Sequence, residues 1–380
     1  MVEKYLDITP ISAYVIKIAS RCNLNCSYCY EYNMGDESWK KMPKYMSEDI
    51  FKKTLNRIKE HSHFHDFTNL NISFHGGEPL LVGHERILRY FELTREILSG
   101  YQLNIGVQSN GILIDREYLE IFEDFNVSIG ISLDGLPKDN DKFRYYHNGR
   151  GSGNKVAEKL SMIENSPLFG GILSVINITS DPVKTWRYLA SFNPPVIDFL
   201  LPHAHWDNVR SEEINNISDY GNWLISIFED WYQGYRSDIR IRFFEEIIYR
   251  IFGYPGALES LGLEEVSLIT IGLNGDYEQV DTMKSVYPGA NCTDLNVDHN
   301  SLNEVLNHQG VIIRQSGISG LCDTCINCEI VSICGGGYYP HRYSSKNGFN
   351  NPSVYCDALY SLIIHIKDKI TTELQPNEKN

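Results

Sequence analysis

Cys22-Asn-Leu-Asn-Cys26-Ser-Tyr-Cys29 sets three thiols at spacings of three residues and then two. Three thiolates can ligate three irons of a four-iron cluster, leaving the fourth iron open to a small molecule. A purely structural cluster would carry four cysteines, and zinc knuckles space their ligands differently. A second concentration lies near the C-terminus: Cys322-Asp-Thr-Cys325-Ile-Asn-Cys328-Glu-Ile-Val-Ser-Ile-Cys334-Gly-Gly-Gly, with Cys292 before it and Cys356 after it. Four of these thiolates would close a metal site, either zinc or iron–sulfur, and the spacing alone leaves both open.

Other polar groups fall at the ends of strand-like runs. Leu70 to Phe74 alternates and leads into His75-Gly76-Gly77-Glu78-Pro79. Two glycines let the backbone approach a ligand, and Glu78 offers an acceptor to an ammonium group. Tyr101 to Gln108 ends in Ser109-Asn110-Gly111, and Val127 to Ser132 ends in Leu133-Asp134-Gly135. Short polar side chains followed by glycine suit ribose and carboxylate recognition. His61-Ser-His63-Phe-His65 could bind metal but reads more simply as a polar connection before a strand.

The elements that must position these groups alternate. Strands are predicted at Ala13–Ala19, Leu70–Phe74, Leu103–Gln108, Val127–Ser132, Ile172–Asn177 and Val196–Leu201. Helices are predicted at Ser47–Glu60 with Ser47 as N-cap, Glu85–Leu98, Arg116–Phe125, Asn154–Glu164 and Pro182–Ser191. This alternation implies an α/β fold with parallel strands, whose functional groups lie at the C-terminal strand ends. Pro202-His203-Ala204-His205-Trp206 follows the last strand, then helices around Ser218–Tyr235 and Phe243–Phe252. Leu268–Leu273 and Tyr277–Val280 flank Asn274-Gly275 as a hairpin, and Ala358–Thr372 reads as a closing helix. The expected units are residues 1–235, a bridging segment 236–280 and a cysteine-rich domain 281–380.

The 380 residues suffice for one large and one small domain. A net charge of −15 without basic blocks argues against nucleic acid as a partner. There is no apolar run of membrane-spanning length and no signal-peptide pattern, which predicts a cytoplasmic protein without a membrane partner. In that reducing compartment nine cysteines point to metal rather than disulfides.

The three-cysteine motif with Tyr28, followed by Gly76-Gly77-Glu78-Pro79, resembles the radical S-adenosylmethionine (SAM) superfamily. The resemblance implies an open six-stranded (β/α) barrel, a 4Fe–4S cluster on Cys22, Cys26 and Cys29, and SAM chelating the open iron. It implies that Gly76, Gly77, Glu78 and Pro79 bind the cofactor's amino group. Asn110, Ser132 and Asp134 would lie near the cofactor, and Arg144 would pair with its carboxylate. The C-terminal segment resembles a SPASM domain, which carries auxiliary 4Fe–4S clusters, and Cys325, Cys328, Cys334 and Cys356 match its second cluster. One departure stands out: where the pattern places a further cysteine, this chain has Tyr338. Cys292 and Cys322 alone remain for the first auxiliary cluster. That cluster is then absent, or completed by substrate or by a ligand such as His341 or Asp281; Cys292 could also be a buried core thiol.

Cys29 to Trp39, Asn140 to Ser152 and Gly348 to Cys356 look like the maturases that form three-residue cyclophanes in ribosomally made peptides. The resemblance implies joining an aromatic ring carbon to the β-carbon of a residue two positions on. An external one-electron donor of flavodoxin or ferredoxin type, a base and an electron acceptor are needed. Asp281 is the first candidate for the base, followed by His203 and His205, and an auxiliary cluster is the natural acceptor. No N-terminal leader-recognition domain is expected, so a leader would use the barrel, the hairpin edge or another protein. The rival readings are a thioether or ether former, a formylglycine-forming sulfatase maturase, and a non-catalytic iron–sulfur electron carrier.

Overall fold

The computed structural model describes residues 8–209 and 216–374. Strand β1 (Ala13–Ala19) lies inside a ten-stranded sheet, because most of its side chains are buried. From β1 the sheet steps outward through β2 (Asn69–Gly76), β3 (Gln102–Ser109), β4 (Ser128–Ser132), β5 (Phe169–Val175), β6 (Val196–Leu200) and β7 (Arg240–Ile241), every neighbour parallel. On the other side β8 (Leu268–Ile271) pairs parallel with β1, and β9 (Asp276–Glu278) and β10 (Cys292–Asn296) follow antiparallel. The first strand of the expected hairpin is therefore part of the main sheet.

Helices α1 (Glu48–Phe64), α2 (His84–Ile97), α3 (Arg116–Asp124), α4 (Gly153–Ile163) and α5 (Pro182–Ala190) make the crossovers between β1 and β6. Local chemistry starts several of them. Ser47 accepts from the Ile50 amide, Asp115 from Tyr118 and Asp181 from Lys184, which satisfies otherwise orphaned N–H groups. Their inner faces, such as Phe51, Leu55 and Ile58 on α1 and Phe91 on α2, pack with Ile16, Phe74 and Ile129 of the strands. Two further helices, α6 (Ile217–Tyr232) and α7 (Arg242–Ile251), precede β8, and α8 (Cys356–Leu374) closes the described chain. A Cβ on Gly221 of α6 would stand 2.8 Å from the Ala358 carbonyl, so the close approach of α6 and α8 needs glycine there.

Two sequence expectations need correction. His61 and His63 belong to the last turn of α1, not to a connection. Burial fixes His61: its Nε2 accepts from the Ile11 amide at 3.1 Å, while Nδ1 faces Asn303 Oδ1 at 2.6 Å. Strand β5 starts three residues before the expected Ile172, because Gly170 and Gly171 dilute its apolar pattern. A Cβ on Gly171 would meet the Val196 carbonyl at 2.5 Å, so the glycine is what lets β5 and β6 approach. Among the described residues no helix is long and apolar enough to cross a membrane.

Candidate functional site

The cysteine loop leaves the C-terminal end of β1 and is braced from both sides. The Asn25 and Ser27 amides donate to the carbonyls of Tyr145 (2.7 Å) and Phe143 (2.9 Å), and Leu24 bridges Tyr146. That partner segment is held in turn by Ser152, whose hydroxyl donates to the Arg144 carbonyl at 2.8 Å. On the other side, Gly77 donates to the Ala19 carbonyl at 2.8 Å and Glu78 to that of Arg21 at 2.9 Å. A Cβ on Gly77 would lie 1.8 Å from the Tyr32 hydroxyl and 2.5 Å from the Arg21 carbonyl. The glycine pair thus brings the end of β2 against the cysteine loop.

Burial pushes all three thiols up, Cys22 further through the Glu78 charge. Cys29 reaches about 12 by burial, then by Cys26 and Glu31. Arg144, which opposes the rise at Cys26, is the cation that faces them. Buried thiols short of positive charge are a donor set that iron would complete, since a bound metal deprotonates its thiols.

Around the loop stand the groups singled out in the sequence. Glu78 is buried, and its carboxylate accepts from the Leu80 amide (3.0 Å), the Ser109 hydroxyl (2.8 Å) and the Asn110 amide (2.8 Å). It therefore ties the ends of β2 and β3 together. Pro79 opens the short turn that this carboxylate caps. Asn110 Nδ2 donates to Asn23 Oδ1 at 2.7 Å and faces Cys22 Sγ at 3.6 Å. The Ser132 hydroxyl accepts from Gln108 Nε2 at 3.0 Å. Tyr28 donates to Asp134, whose other oxygen accepts from the Val175 amide at 3.0 Å, and Arg144 Nη1 donates to the Tyr28 hydroxyl at 2.9 Å. Arg144 is buried and its Nε has no partner. An unpaired buried guanidinium nitrogen beside the three-thiol loop fits the carboxylate of a bound amino acid.

Sequence reasoning missed what lies next to this ring. Lys17 on β1 is buried among Glu31, Glu278 (3.2 Å) and Asp281 (3.7 Å). Lys284 pairs with Glu31 at 3.0 Å and Glu278 at 3.6 Å. The signal was available in part: Lys17 interrupts an otherwise apolar strand, Ala13-Tyr-Val-Ile-Lys-Ile-Ala19. Asp281 also accepts from the Tyr30 hydroxyl at 2.8 Å and lies 3.6 Å from His75 Nδ1. Burial raises its carboxyl, but Lys17, His75, Tyr30 and Lys284 outweigh burial and hold it at about 2. Asp281 is ionised but weakly basic, which counts against its expected role as base.

Half-buried rings continue from Tyr30. Tyr30 meets His203 edge-on at 5.3 Å between centroids, and His203 stands 6.2 Å from both Tyr338 and His341. Burial lowers His203 to about 4 against the pull of Asp281, and drives His341 well below its ordinary value. Both are neutral at pH 7. His203 Nδ1 and both ring nitrogens of His341 lack partners. His205 points elsewhere: its Nδ1 accepts from the Asp207 amide at 3.3 Å and its ring packs on Tyr343.

The C-terminal thiols converge. Cys325, Cys328, Cys334 and Cys356 line one cavity of ≈ 50 Å³, whose walls include Ile330 and Val331. Cys322 hydrogen-bonds with Cys325, so it joins this group rather than forming another with Cys292. Cys292 is exposed on β10 and faces the carboxylates of Glu278 and Asp294, so it is not a core thiol either. Tyr338 shares a hydrogen bond with Thr282, Asp281 is held by Lys17 and Tyr30, and His341 lies against aromatic rings. Among the described residues no three His, Cys, Asp or Glu side chains share a single-ion site.

The family model described as the radical SAM superfamily matches residues 16–189. The chain is 23% identical to the cysteine-type anaerobic sulfatase-maturating enzyme of Clostridium novyi, over 95% of this chain and 96% of that protein. Its fold is similar to native anSMEcpe with bound AdoMet and Cp18Cys peptide, with TM-score 0.79, 19% identity and coverage of 96% of this chain and 99% of that one. It is also similar to Streptococcus suis SuiB bound to precursor peptide SuiA, with TM-score 0.61, 16% identity and coverage of 91% and 76%.

Proposed function

We propose that this radical SAM enzyme, whose residues 16–189 are the superfamily's domain, oxidises a ribosomally made precursor peptide, joining an aromatic ring carbon to a side-chain β-carbon. The observation that carries the reading is the neutral ring wall of Tyr30, His203 and Tyr338, which begins one residue after Cys29. A wall of uncharged rings suits an aromatic substrate side chain better than a charged one.

Cys22, Cys26 and Cys29 would hold a 4Fe–4S cluster, with Arg144 on the cofactor carboxylate and Asn110, Ser132 and the Gly77-Glu78 backbone around the rest. Bound there, cluster and SAM would supply a 5′-deoxyadenosyl radical able to take a β-hydrogen. The chain's own part is positional. Asp134 holds the Tyr28 hydroxyl and Glu78 holds the Asn110 loop, which fixes the walls of the cofactor pocket. Asp281 orients Tyr30. Neutral His203, with Nδ1 free, takes the proton that the ring loses on regaining aromaticity; at about 4 it is a weak base, but a stronger one than Asp281 at about 2. In this reading residues 1–235 form a partial barrel and residues 281–380 a cluster domain whose four-thiol cavity holds the electron acceptor. A flavodoxin- or ferredoxin-type protein of the cytoplasm would donate the initiating electron.

A second reading has specific support. The full-length likeness to sulfatase maturases favours oxidation of one Cys or Ser of a target protein to formylglycine. Anaerobic co-expression with each small reading frame beside the gene, then mass spectrometry, separates the two. Loss of two hydrogens with fragmentation blocked between an aromatic residue and one two positions on supports the crosslink. An aldehyde at a single Cys or Ser replaces it with the second reading, and no change in any such peptide rejects it.

A further inference from the structure

Two thiol groups in one chain invite the question of which way electrons run between them, and the charges packed against each differ in sign. Near the N-terminal loop the buried charges are mainly negative. Glu78 acts on Cys22, Asp134 on Cys26 and Glu31 on Cys29. Arg144 opposes them, and Lys17 and Lys284 are occupied by Glu31, Glu278 and Asp281. In this layer five carboxylates face three cations.

The C-terminal cavity is arranged the other way. Gly335, Gly336 and Gly337 follow Cys334 with φ of +60°, +80° and +69°, a run in the left-handed region that glycine alone enters readily. This turn aims the Gly336 amide at Cys334 Sγ. Arg342 closes the loop from behind, its Nη2 donating to the carbonyls of Gly335 (2.7 Å) and Gly337 (2.6 Å). Arg342 is buried, its Nε has no partner, and among the described residues it forms no ion pair. Its charge acts on Cys325, Cys334 and Cys322. The carboxylates on this side, Asp357 beside Cys356 and Glu329 beside Cys328, are exposed and therefore screened by water.

Nearby charge and hydrogen bonds to the sulfurs are among the main determinants of an iron–sulfur potential. We infer that Arg342 sets the potential of the C-terminal centre and holds it above that of the N-terminal one. This rests on the reading that both thiol groups carry iron–sulfur clusters. With both clusters bound, an external donor would supply one electron to the N-terminal centre, and the C-terminal centre would take up the electron released when the substrate ring regains aromaticity, to be reoxidised by an external acceptor; Arg342 changes no bond and acts through its field.

The test is a redox titration of the anaerobically reconstituted full chain followed by electron paramagnetic resonance. Adding SAM marks the N-terminal signal by perturbing it. The C-terminal signal is expected to appear first as the potential is lowered. In Arg342→Met its midpoint should fall, in Arg342→Lys it should stay nearer the wild type, and iron content should hold in both. Reduction of the N-terminal centre first in the wild-type chain overturns the inference, whether or not the variants fold. So does an unchanged midpoint in an iron-replete Arg342→Met chain. Reconstitution that yields no cluster signal at all would instead reject the underlying two-cluster reading.

Discussion

Replacing Lys17 by methionine keeps the reach of the side chain in β1 and removes one ammonium from among three carboxylates. Breaking a buried ion pair from one side commonly costs about 3–5 kcal/mol, because the remaining charge stays buried. Here the partners are not abandoned equally. Glu31 and Glu278 keep Lys284, at 3.0 and 3.6 Å, while Asp281 keeps the Tyr30 hydroxyl and His75. The cost should therefore fall near the lower end, ~3 kcal/mol. Asp281's share follows from its carboxyl, held at about 2 instead of 3.8. At ~1.4 kcal/mol per unit this is roughly 2 kcal/mol. Lys17 is the largest of the four groups that lower it, so Lys17→Met should cost about 1–2 kcal/mol less in an Asp281→Asn background, a coupling of about 1–2 kcal/mol. Anaerobic urea unfolding of the four chains, followed by tryptophan fluorescence at pH 7.5, measures it. The sign of the pH dependence is also set. A carboxyl held below its unfolded value stabilises fully above about pH 4, and that stability is lost only as pH falls through about 2. The coupling should be flat from about pH 6 to 9. Costs that add within ~0.5 kcal/mol, or a coupling that varies across that window, would refute the view of these residues as one unit.

Gly77→Ala should lose iron from the N-terminal loop and destabilise the chain by several kcal/mol, roughly 3 or more, since its Cβ has no space; Gly106→Ala, whose Cβ would meet its nearest atom at 3.7 Å, should stay near wild type in iron content and unfolding midpoint. Arg144→Lys keeps the charge but loses the fork, and should weaken SAM binding about tenfold in calorimetry without loss of iron; unchanged affinity would remove Arg144 from the pocket. Cys334→Ala should lower bound iron by about four per chain, whereas Cys292→Ser should leave it unchanged, both by colorimetric assay. His203, held at about 4 against an ordinary 6.5, favours the fold above pH 6.5 and loses that contribution as pH falls from 6.5 to 4. His203→Gln should flatten part of the stability slope in that window, with His61 supplying some of the remainder; an unaltered slope counts against a buried neutral His203.

Much of the architecture was legible because it is written at short range. A strand or helix declares itself within a few residues: β1 is Ala13–Ala19 as predicted, Ser47 caps α1, and α8 carries Leu359, Leu362, Ile363 and Ile366 on its buried face. Cysteine spacing is local in the same sense, and Cys325, Cys328 and Cys334 do line one cavity with the distant Cys356. Less legible was where a residue answers to a partner far along the chain. The space a side chain would need at Gly77 is taken by the carbonyl of Arg21. Asp281 is held low first by Lys17, over 250 residues earlier.

The sequence by itself determined the parallel α/β order, the three-thiol loop at the end of the first strand and the four thiols that close the second group. Those depend on hydrogen bonding and side-chain periodicity over a turn or a strand. Only the tertiary structure decided which charges stand beside each thiol group, and so how each would behave. Electrostatic interaction in a buried, poorly screened interior depends on distance through space, and separation along the chain does not predict it.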